Sequence, residues 1–273
     1  MPLALWSSLS RYAAPRPLAK VTAHRGSSLA APENTLSAVR KAIESKADYA
    51  EVDVQRTADG VVVLLHDSDL KRVAGVARGV EELPYEDVRK LDVGSWFGPE
   101  FAGEHVPTLA EVIDLARGRI KLNIEMKVFG PDRELARDVA RLVREKEFEN
   151  DCIVTSFNYD ALQEAKQIDP DLRTGLIVAF ALGDLNRLEI DLLSVRADHL
   201  SDDLLRAAHR RGREVHVWTV NDPRQMARLI KRGVDNILTS DPDQAIRVRD
   251  EWAGVTGSER LLLASRLLLG LDP

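Results

Sequence analysis

The chain has 273 residues and a mass of 30.4 kDa, which suits one large domain or two of ordinary size. Hydrophobic residues make up 44% of the sequence and charged residues 30%, a balance that excludes disordered and fibrous proteins. The formal net charge of −6 gives no general electrostatic attraction to a phosphate backbone, so nucleic acid is excluded as an expected partner.

The N-terminal extension, residues 1–19, precedes the first predicted strand. It has no basic region ahead of its apolar residues, because the first cation is Arg11, and it therefore does not predict a signal peptide. The single cysteine, Cys152, can form neither an intramolecular disulfide nor a thiolate-ligated metal site. Together these features predict a cytoplasmic protein.

Short apolar runs alternate with segments of helical periodicity between Val21 and Val248, a pattern typical of βα units around a parallel sheet. The runs predicted as strands are Val21–His24, Tyr49–Val54, Val61–His66, Lys121–Lys127, Cys152–Ser156, Gly175–Phe180, Leu192–Val195, Glu214–Val220 and Asn236–Thr239. The third run follows the turn sequence Ala58-Asp59-Gly60, and we interpret it as a continuation or hairpin partner of the second strand. Eight βα units in one domain then remain.

Seven segments between these strands are predicted as helices. They are Glu33–Lys46, Leu109–Arg117, Arg133–Glu147, Tyr159–Gln167, Ser201–Arg211, Pro223–Lys231 and Pro242–Asp250. Thr108, Asp222 and Asp241 stand directly before three of them, as N-cap residues do. The fifth crossover, near Asp184–Leu188, carries only a weak helical pattern.

Two segments depart from the rhythm of strands and helices. Leu70–Pro107 is rich in glycine and charge and contains Trp96 and Phe97, and we interpret it as an inserted subdomain near one barrel mouth. The C-terminal extension, residues 251–273, contains the Leu-rich run Leu261–Leu271, which is shorter than the roughly 20 apolar residues that a membrane-spanning helix needs. We expect a helix that covers the chain's own core, with homo-oligomer or membrane-surface contact as alternatives.

Charged residues alternate with apolar ones in the predicted strand Lys121–Lys127. Strands of a parallel barrel are covered by helices outside, so the apolar face should meet the helices and the polar face should line the lumen. Glu125 and Lys127 come late in the strand and are therefore expected at its carboxyl end, where the active sites of barrel enzymes lie.

The predicted strand Tyr49–Val54 follows the same logic and sends Glu51 and Asp53 into the lumen. With Glu125 they provide three carboxylates without clustered thiolates, a set of hard ligands that suits Mg²⁺ or Ca²⁺ better than zinc. The alternative is that these acids pair with Lys127, Arg25 and other cations. Periodicity alone leaves both interpretations open.

His24 and His66 each end a predicted strand. A single histidine in such a place is commonly a hydrogen-bonded structural residue, but two at one barrel face could serve as general base and general acid near neutral pH. Arg25, beside His24, offers bidentate recognition of an oxyanion. With a divalent cation, this set of residues suits phosphoryl transfer.

Eight short segments follow one another along the chain: His24-Arg25-Gly26, Pro32-Glu33-Asn34-Thr35, Glu51-Val52-Asp53-Val54, Thr57-Ala58-Asp59-Gly60, His66-Asp67, Pro107-Thr108-Leu109, Asn123-Ile124-Glu125-Met126-Lys127 and Trp218-Thr219-Val220-Asn221-Asp222. Taken together and in this order, they resemble the glycerophosphodiester phosphodiesterase family. The resemblance covers roughly residues 20 to 248.

The resemblance implies a (β/α)8 TIM barrel over residues 20–250, with a small insertion after the second strand at about residues 70–107. It also implies hydrolysis of glycerophosphodiesters to an alcohol and sn-glycerol 3-phosphate, with Mg²⁺ or Ca²⁺ as cofactor and two histidines as acid and base. The implied roles are metal ligation by Glu51, Asp53 and Glu125, catalysis by His24 and His66, and substrate binding by Arg25, Lys127 and Trp218.

Some alternatives remain beside this resemblance. Trp218 could be a packing residue of the lumen rather than an aromatic wall of the substrate pocket. A lysophospholipase D would use the same residues but would need an apolar groove, which Phe97, Phe101, Phe180 and the Leu-rich run could supply. A non-catalytic barrel that binds a phosphorylated metabolite is disfavoured, because every proposed catalytic and metal position carries a competent residue. The expected partner is a small-molecule substrate.

Overall fold

A computed structural model describes residues 18–129, 134–179 and 188–254. Within these ranges, eight parallel strands form a barrel: β1 (Lys20–Ala23), β2 (Tyr49–Arg56), β4 (Lys121–Met126), β5 (Cys152–Ser156), β6 (Thr174–Val178), β7 (Leu192–Arg196), β8 (Glu214–Trp218) and β9 (Asn236–Thr239). They pair in the order β1-β9-β8-β7-β6-β5-β4-β2, and pairing of β1 with β2 closes the barrel. The predicted (β/α)8 TIM barrel is confirmed.

The remaining strand of the described chain, β3 (Val62–Leu64), pairs antiparallel with the end of β2, with Val54 opposite Leu64. The chain reverses at Gly60, whose φ of 87° belongs to the left-handed region that glycine adopts readily. The hairpin alternative is therefore correct, and the continuation of β2 is wrong.

Helices connect the strands on the outside of the barrel. Those of the crossovers are α1 (Leu36–Glu44), α4 (Leu109–Ala116), α5 (Glu134–Glu145), α6 (Tyr159–Ile168), α7 (Asp202–Arg210), α8 (Pro223–Arg232) and α9 (Pro242–Ala253). Helix α1 begins three residues later than predicted, because Thr35 caps it by accepting a hydrogen bond from the Ala38 amide and Asn34 has a φ of 56°. The weakly predicted crossover near residue 184 lies outside the described residues.

The barrel lumen is filled rather than open. Tyr49, Ile153 and Leu192 form a small apolar cluster separate from the main core. Polar residues of the lumen form hydrogen bonds with one another across strands. The Thr22 hydroxyl donates to Asn236 Oδ1 at 3.0 Å, and the Thr155 hydroxyl donates to Asn123 Oδ1 at 2.9 Å. The lumen below the mouth is therefore a packed support for the strand ends above it.

The segment between β3 and α4, which we call the insertion, has a small core of its own. It contains two four-residue helices, α2 (Lys71–Ala74) and α3 (Tyr85–Val88). Nine buried aliphatic residues pack in a separate cluster: Val63, Leu65, Leu70, Val73, Val80, Leu83, Val88, Val93 and Val106. The insertion follows β3 directly, so its first residues lie at the carboxyl end of β2.

The two terminal extensions fall almost entirely outside the described residues, and the predictions made for them stay predictions. Among the helices that the structure does describe, none has both the length and the apolar character needed to cross a bilayer.

Candidate active site

Three carboxylates meet in the lumen at the carboxyl ends of β2 and β4. The parallel register sets Asp53 beside Glu125, and Glu51 lies two residues earlier on the same face of β2. One oxygen from each residue lies within 4.8 Å of the others. Glu51 and Asp53 are each 1% exposed and Glu125 is 9% exposed, so the cluster is desolvated.

Two cations contact this acidic cluster. Lys127 Nζ lies 3.0 Å from Asp53 Oδ1 and also pairs with Glu125. Arg25 Nε lies 3.4 Å from Asp53 Oδ2. The ion pairing that was left open as an alternative is therefore present. It does not satisfy the whole cluster, because buried Glu51 Oε1 has no hydrogen-bond partner among the described residues.

The three carboxylates differ in their pKa values because their neighbours differ. Burial and the charges of Asp53 and Glu125 raise the pKa of Glu51 well above its usual value. Burial and Asp53 raise the pKa of Glu125 to about 7. For Asp53, burial opposes ionisation, but Lys127 and Arg25 outweigh it and lower the pKa. The charges of Lys127 and Arg25 thus do not fully offset the three carboxylates, and the hard oxygen donors of the cluster fit a divalent cation.

The loop after β1 holds Arg25 against this cluster through its backbone. The Arg25 amide donates to Glu51 Oε2 at 2.6 Å, and the Gly26 amide donates to the Glu51 carbonyl at 2.9 Å. Arg25 has a φ of 57° and Gly26 a φ of 74°. A Cβ at position 26 would lie 2.6 Å from the backbone of Ala38 on α1, so only glycine fits there without movement.

The two predicted histidines both lie at the mouth of the barrel. His24 directly follows β1, and its amide donates to the Thr239 carbonyl at 2.8 Å. Burial, together with neighbouring Arg25, lowers the pKa of His24 to about 4, so its imidazole is neutral at pH 7. His66 follows β3, and its Nδ1 lies 2.8 Å from Asp67 Oδ1.

Several contacting residues at the mouth were not assigned roles from the sequence. Asn34 forms two hydrogen bonds with Asp53. Asn34 Nδ2 donates to Asp53 Oδ2 at 2.9 Å, and the Asp53 backbone amide donates to Asn34 Oδ1 at 3.0 Å. Glu33 accepts from Arg25 Nη1 at 2.9 Å, and Asp67 contacts His66. The segments Pro32–Thr35 and His66-Asp67 contained these residues, so that resemblance was the available signal.

A cavity of about 570 Å³ opens beside the carboxylates, with His66, Lys127, Phe129 and Phe157 among its lining residues. Phe129 and Phe157 are each 52% exposed at its rim. Trp218 is half-buried, packs edge-on against Phe157 at 6.0 Å, and donates its indole N–H to the Ser194 carbonyl at 3.1 Å. Trp218 therefore contacts an aromatic residue of the rim as well as the barrel wall.

Two of the aromatic residues that could supply an acyl groove, Phe97 and Phe101, are not among the lining residues of this cavity. Phe97 and Phe101 pack edge-to-face at 5.4 Å, and Trp96 packs against Phe97 at 5.7 Å, all within the insertion. Phe180 and the Leu-rich run lie outside the described residues. The apolar rim of the cavity is built instead by Phe129 and Phe157.

Comparison with known proteins gives consistent matches. The sequence profile of the glycerophosphoryl diester phosphodiesterase family matches residues 24–244. A glycerophosphodiester phosphodiesterase of Caldanaerobacter subterraneus subsp. tengcongensis is 36% identical over 236 residues, which cover 84% of this chain and 96% of that protein.

Solved structures match as well. A phosphodiesterase of Oleispira antarctica, in complex with the product sn-glycerol-3-phosphate, superposes with a TM-score of 0.81 at 29% identity, covering 85% of this chain and 97% of that one. A glycerophosphodiester phosphodiesterase of Agrobacterium tumefaciens gives a TM-score of 0.73 at 28% identity, covering 84% of this chain and 100% of that one.

Proposed function

The chain belongs to the glycerophosphoryl diester phosphodiesterase family and is a glycerophosphodiester phosphodiesterase, and from that premise we propose a cation-dependent reaction with two catalytic histidines. The products are an alcohol and sn-glycerol 3-phosphate, the product bound in the related Oleispira antarctica enzyme. The observation that carries the proposal is the buried cluster of Glu51, Asp53 and Glu125 beside two histidines and two cations.

Glu51, Asp53 and Glu125 would hold a Mg²⁺ or Ca²⁺ ion. The orphaned Glu51 Oε1 and the raised pKa of Glu125 support this assignment, because a divalent charge would relieve both. When bound, the cation supplies positive charge that polarises the phosphoryl oxygens of the substrate. Asn34 keeps Asp53 in place through its two hydrogen bonds.

Arg25 and Lys127 bind the phosphate of the substrate. Both lie against Asp53, and Lys127 also lines the cavity. Their charges offset the negative charge that spreads over the phosphoryl oxygens in the transition state. Since the loop backbone at Arg25 is tied to Glu51, the arginine is positioned before substrate arrives. Trp218 and Phe157 form an aromatic wall beside this site.

His24 and His66 divide the proton transfers between them. One takes a proton from the nucleophile, and the other gives a proton to the leaving alkoxide. His24, neutral at pH 7, can accept a proton, and His66 is oriented by Asp67, so that its Nε2 faces away from that carboxylate. The nucleophile is either water, which attacks the phosphorus directly, or the glycerol 2-hydroxyl. Attack by the 2-hydroxyl would give a cyclic phosphate, which water then hydrolyses.

Release of sn-glycerol 3-phosphate from glycerophosphocholine and glycerophosphoethanolamine tests the proposal. The enzyme is assayed after EDTA treatment and again with Mg²⁺ or Ca²⁺ restored. We expect release that EDTA abolishes and one of the cations restores. Unchanged release in EDTA would reject the cation requirement. Release of choline from lysophosphatidylcholine, with lysophosphatidic acid as the other product and no sn-glycerol 3-phosphate from the deacylated diesters, would identify a lysophospholipase D.

A further inference from the structure

Arg72 lies on α2 of the insertion, outside the segments that resemble the family, yet it contacts two carboxylates of the active-site mouth. Its Nε donates to Asp67 Oδ2 at 2.6 Å. Its Nη1 and Nη2 donate to the two oxygens of Glu33 at 2.9 and 2.7 Å. One guanidinium group thus uses three N–H donors to join two acids that are 34 residues apart in sequence, at positions 33 and 67.

Each of these two acids also contacts a residue of the proposed chemistry. The other oxygen of Asp67 lies 2.8 Å from His66 Nδ1. Glu33 Oε1 accepts from Arg25 Nη1 at 2.9 Å. Asp67 therefore links Arg72 to His66, and Glu33 links Arg72 to Arg25, the proposed phosphate-binding residue.

Both acids in these contacts are partly shielded from solvent. The Glu33 side chain is only 13% exposed and that of Asp67 29%, while Arg72 covers both and is itself 41% exposed. The guanidinium of Arg72 also lies over Trp96, with its central carbon 5.7 Å from the ring centroid, within the range of a cation–π contact. The guanidinium therefore contacts an aromatic ring as well as the two acids.

We propose that Arg72 is a positioning residue of the diesterase, which orients His66 through Asp67 and Arg25 through Glu33 and so makes the insertion part of the active site. The proposal rests on the roles given above to His66 and Arg25. Its physical basis is that a fork of N–H donors fixes two carboxylates in direction as well as in charge, which an ammonium group cannot do.

The test uses the full chain with Arg72→Ala, Arg72→Lys and the matched control Arg78→Ala. Arg78 lies in the same insertion and pairs with Glu82, but it does not contact Glu33 or Asp67. With glycerophosphocholine as substrate, we expect Arg72→Ala to lower kcat/KM by about 10- to 100-fold, because misoriented catalytic groups cost this much. Arg78→Ala should stay within about twofold of wild type.

Arg72→Lys retains the charge and most of the stem, and we expect it to remain impaired at least about fivefold. Millimolar guanidinium should restore part of the activity of Arg72→Ala, relative to wild type at the same concentration, since it can occupy the vacated position. A loss caused by lower stability would not respond in this way, because guanidinium destabilises folded proteins.

Two further variants, Asp67→Asn and Glu33→Gln, separate the effect of Arg72 on His66 through Asp67 from its effect on Arg25 through Glu33. In Asp67→Asn and in Glu33→Gln, the added Arg72→Ala change should lower kcat/KM by a smaller factor than it does in the wild-type chain, because the acid that transmits part of the effect has been altered. Fully additive losses in both backgrounds, or kinetics of Arg72→Ala equal to those of Arg78→Ala, would overturn the proposal. Wild-type activity of Arg72→Lys would overturn the requirement for a fork.

His66→Ala is measured in parallel so that the two levels of inference can be told apart. If His66→Ala is fully active, the proposed function of this histidine fails, and the route through Asp67 fails with it. If His66→Ala is inactive while Arg72→Ala behaves as Arg78→Ala does, only the positioning role fails.

Discussion

At the scale of single residues, buried positive and negative side chains of the candidate site partly offset one another. Asp53 contacts both Lys127 and Arg25, and burial would otherwise disfavour all three charges. Burial opposes the charge of Lys127, but Asp53 and Glu125 outweigh it and raise its pKa, so the lysine stays protonated. The arrangement keeps two cations against Asp53, while Glu51 Oε1 has no hydrogen-bond partner among the described residues.

The histidines give the most direct prediction at this scale. His24→Ala and His66→Ala should each lower kcat by about 10²–10⁴-fold, the usual contribution of general acid–base catalysis. Steady-state kinetics measure the effect, and thermal unfolding checks that each variant is folded. His105→Ala is the control, since His105 is half-exposed in the insertion and its Nε2 lies 3.8 Å from Glu111 Oε1 on α4. Normal turnover in either variant would remove that histidine from the mechanism.

The acidic cluster leads to a second prediction. Glu51→Gln keeps the shape of the side chain but removes a charge, and we expect the cation concentration for half-maximal rate to rise about tenfold or more. Titration of Mg²⁺ or Ca²⁺ into EDTA-treated enzyme measures it. Glu100→Gln, at an exposed position of the insertion, should leave the titration unchanged. Equal titration curves for Glu51→Gln and wild type would reject Glu51 as a ligand.

At the scale of elements, the loops after β1 and β3 carry the two histidines, and helix α1 supports the first of them. The Ser27 amide donates to the Ala38 carbonyl at 2.9 Å, so the loop lies directly on the first turn of α1. Such a close approach of two backbones leaves no room for a Cβ at Gly26. The position of Arg25 therefore depends on the residue that follows it.

Gly26→Ala tests this dependence. The variant combines a strained φ of 74° with a contact of 2.6 Å to Ala38, and we expect a loss of about 1–3 kcal/mol in the free energy of unfolding. Gly118→Ala is the matched control, because Gly118 has a similar φ of 68° but no atom within 4 Å of an added Cβ. Urea unfolding should show the larger loss for Gly26→Ala, together with a fall in kcat/KM that Gly118→Ala lacks. Equal losses would show that the close approach is not limiting.

At the scale of the whole molecule, the barrel has a second polar group at its opposite end. Glu214 begins β8, and its Oε2 lies 3.0 Å from the buried His216 Nε2. Lys20 and Arg173 each lie 3.3 Å from its other oxygen. This hydrogen bond to His216, with the two cations, lowers the pKa of Glu214 to about 2 despite partial burial. The group joins β1, β8 and the residue before β6, away from the mouth that holds the three carboxylates.

Stability should therefore depend on pH through Glu214. Its folded pKa of about 2 is below the ordinary value of 4.5, so the unfolded chain binds more protons between these values. The stabilisation is present above about pH 4.5 and is lost as the pH falls towards 2. We expect Glu214→Gln to lower the free energy of unfolding by about 1–2 kcal/mol at pH 7, with the difference narrowing below pH 4.5.

Urea unfolding at pH 7, 5 and 3.5 measures this difference. Glu44→Gln serves as control, because Glu44 forms an exposed pair with Lys41 and should show a small difference throughout. A Glu214→Gln difference that grows as the pH falls would contradict the assignment. Diesterase activity at pH 7 should be retained, since Glu214 lies at the opposite end of the barrel from the carboxylates.

The sequence by itself determined the barrel and the chemical types at its mouth. Alternation of polar and apolar residues is a local property, so the lumenal direction of Glu51 and Glu125 could be read from their strands. Arg25, His24 and His66 could also be located from short motif segments, because each of them lies next to a strand end.

Only the tertiary structure decided which of these residues touch. The choice of hairpin over continuation for β3 depended on the turn at Gly60, and the later start of α1 depended on the cap that Thr35 forms and on the positive φ of Asn34. Arg72 reaches Glu33, 39 residues earlier in sequence, only because the insertion folds over the mouth. Contacts of this kind, and the pKa values that follow from them, depend on distances between distant segments, which local periodicity does not encode.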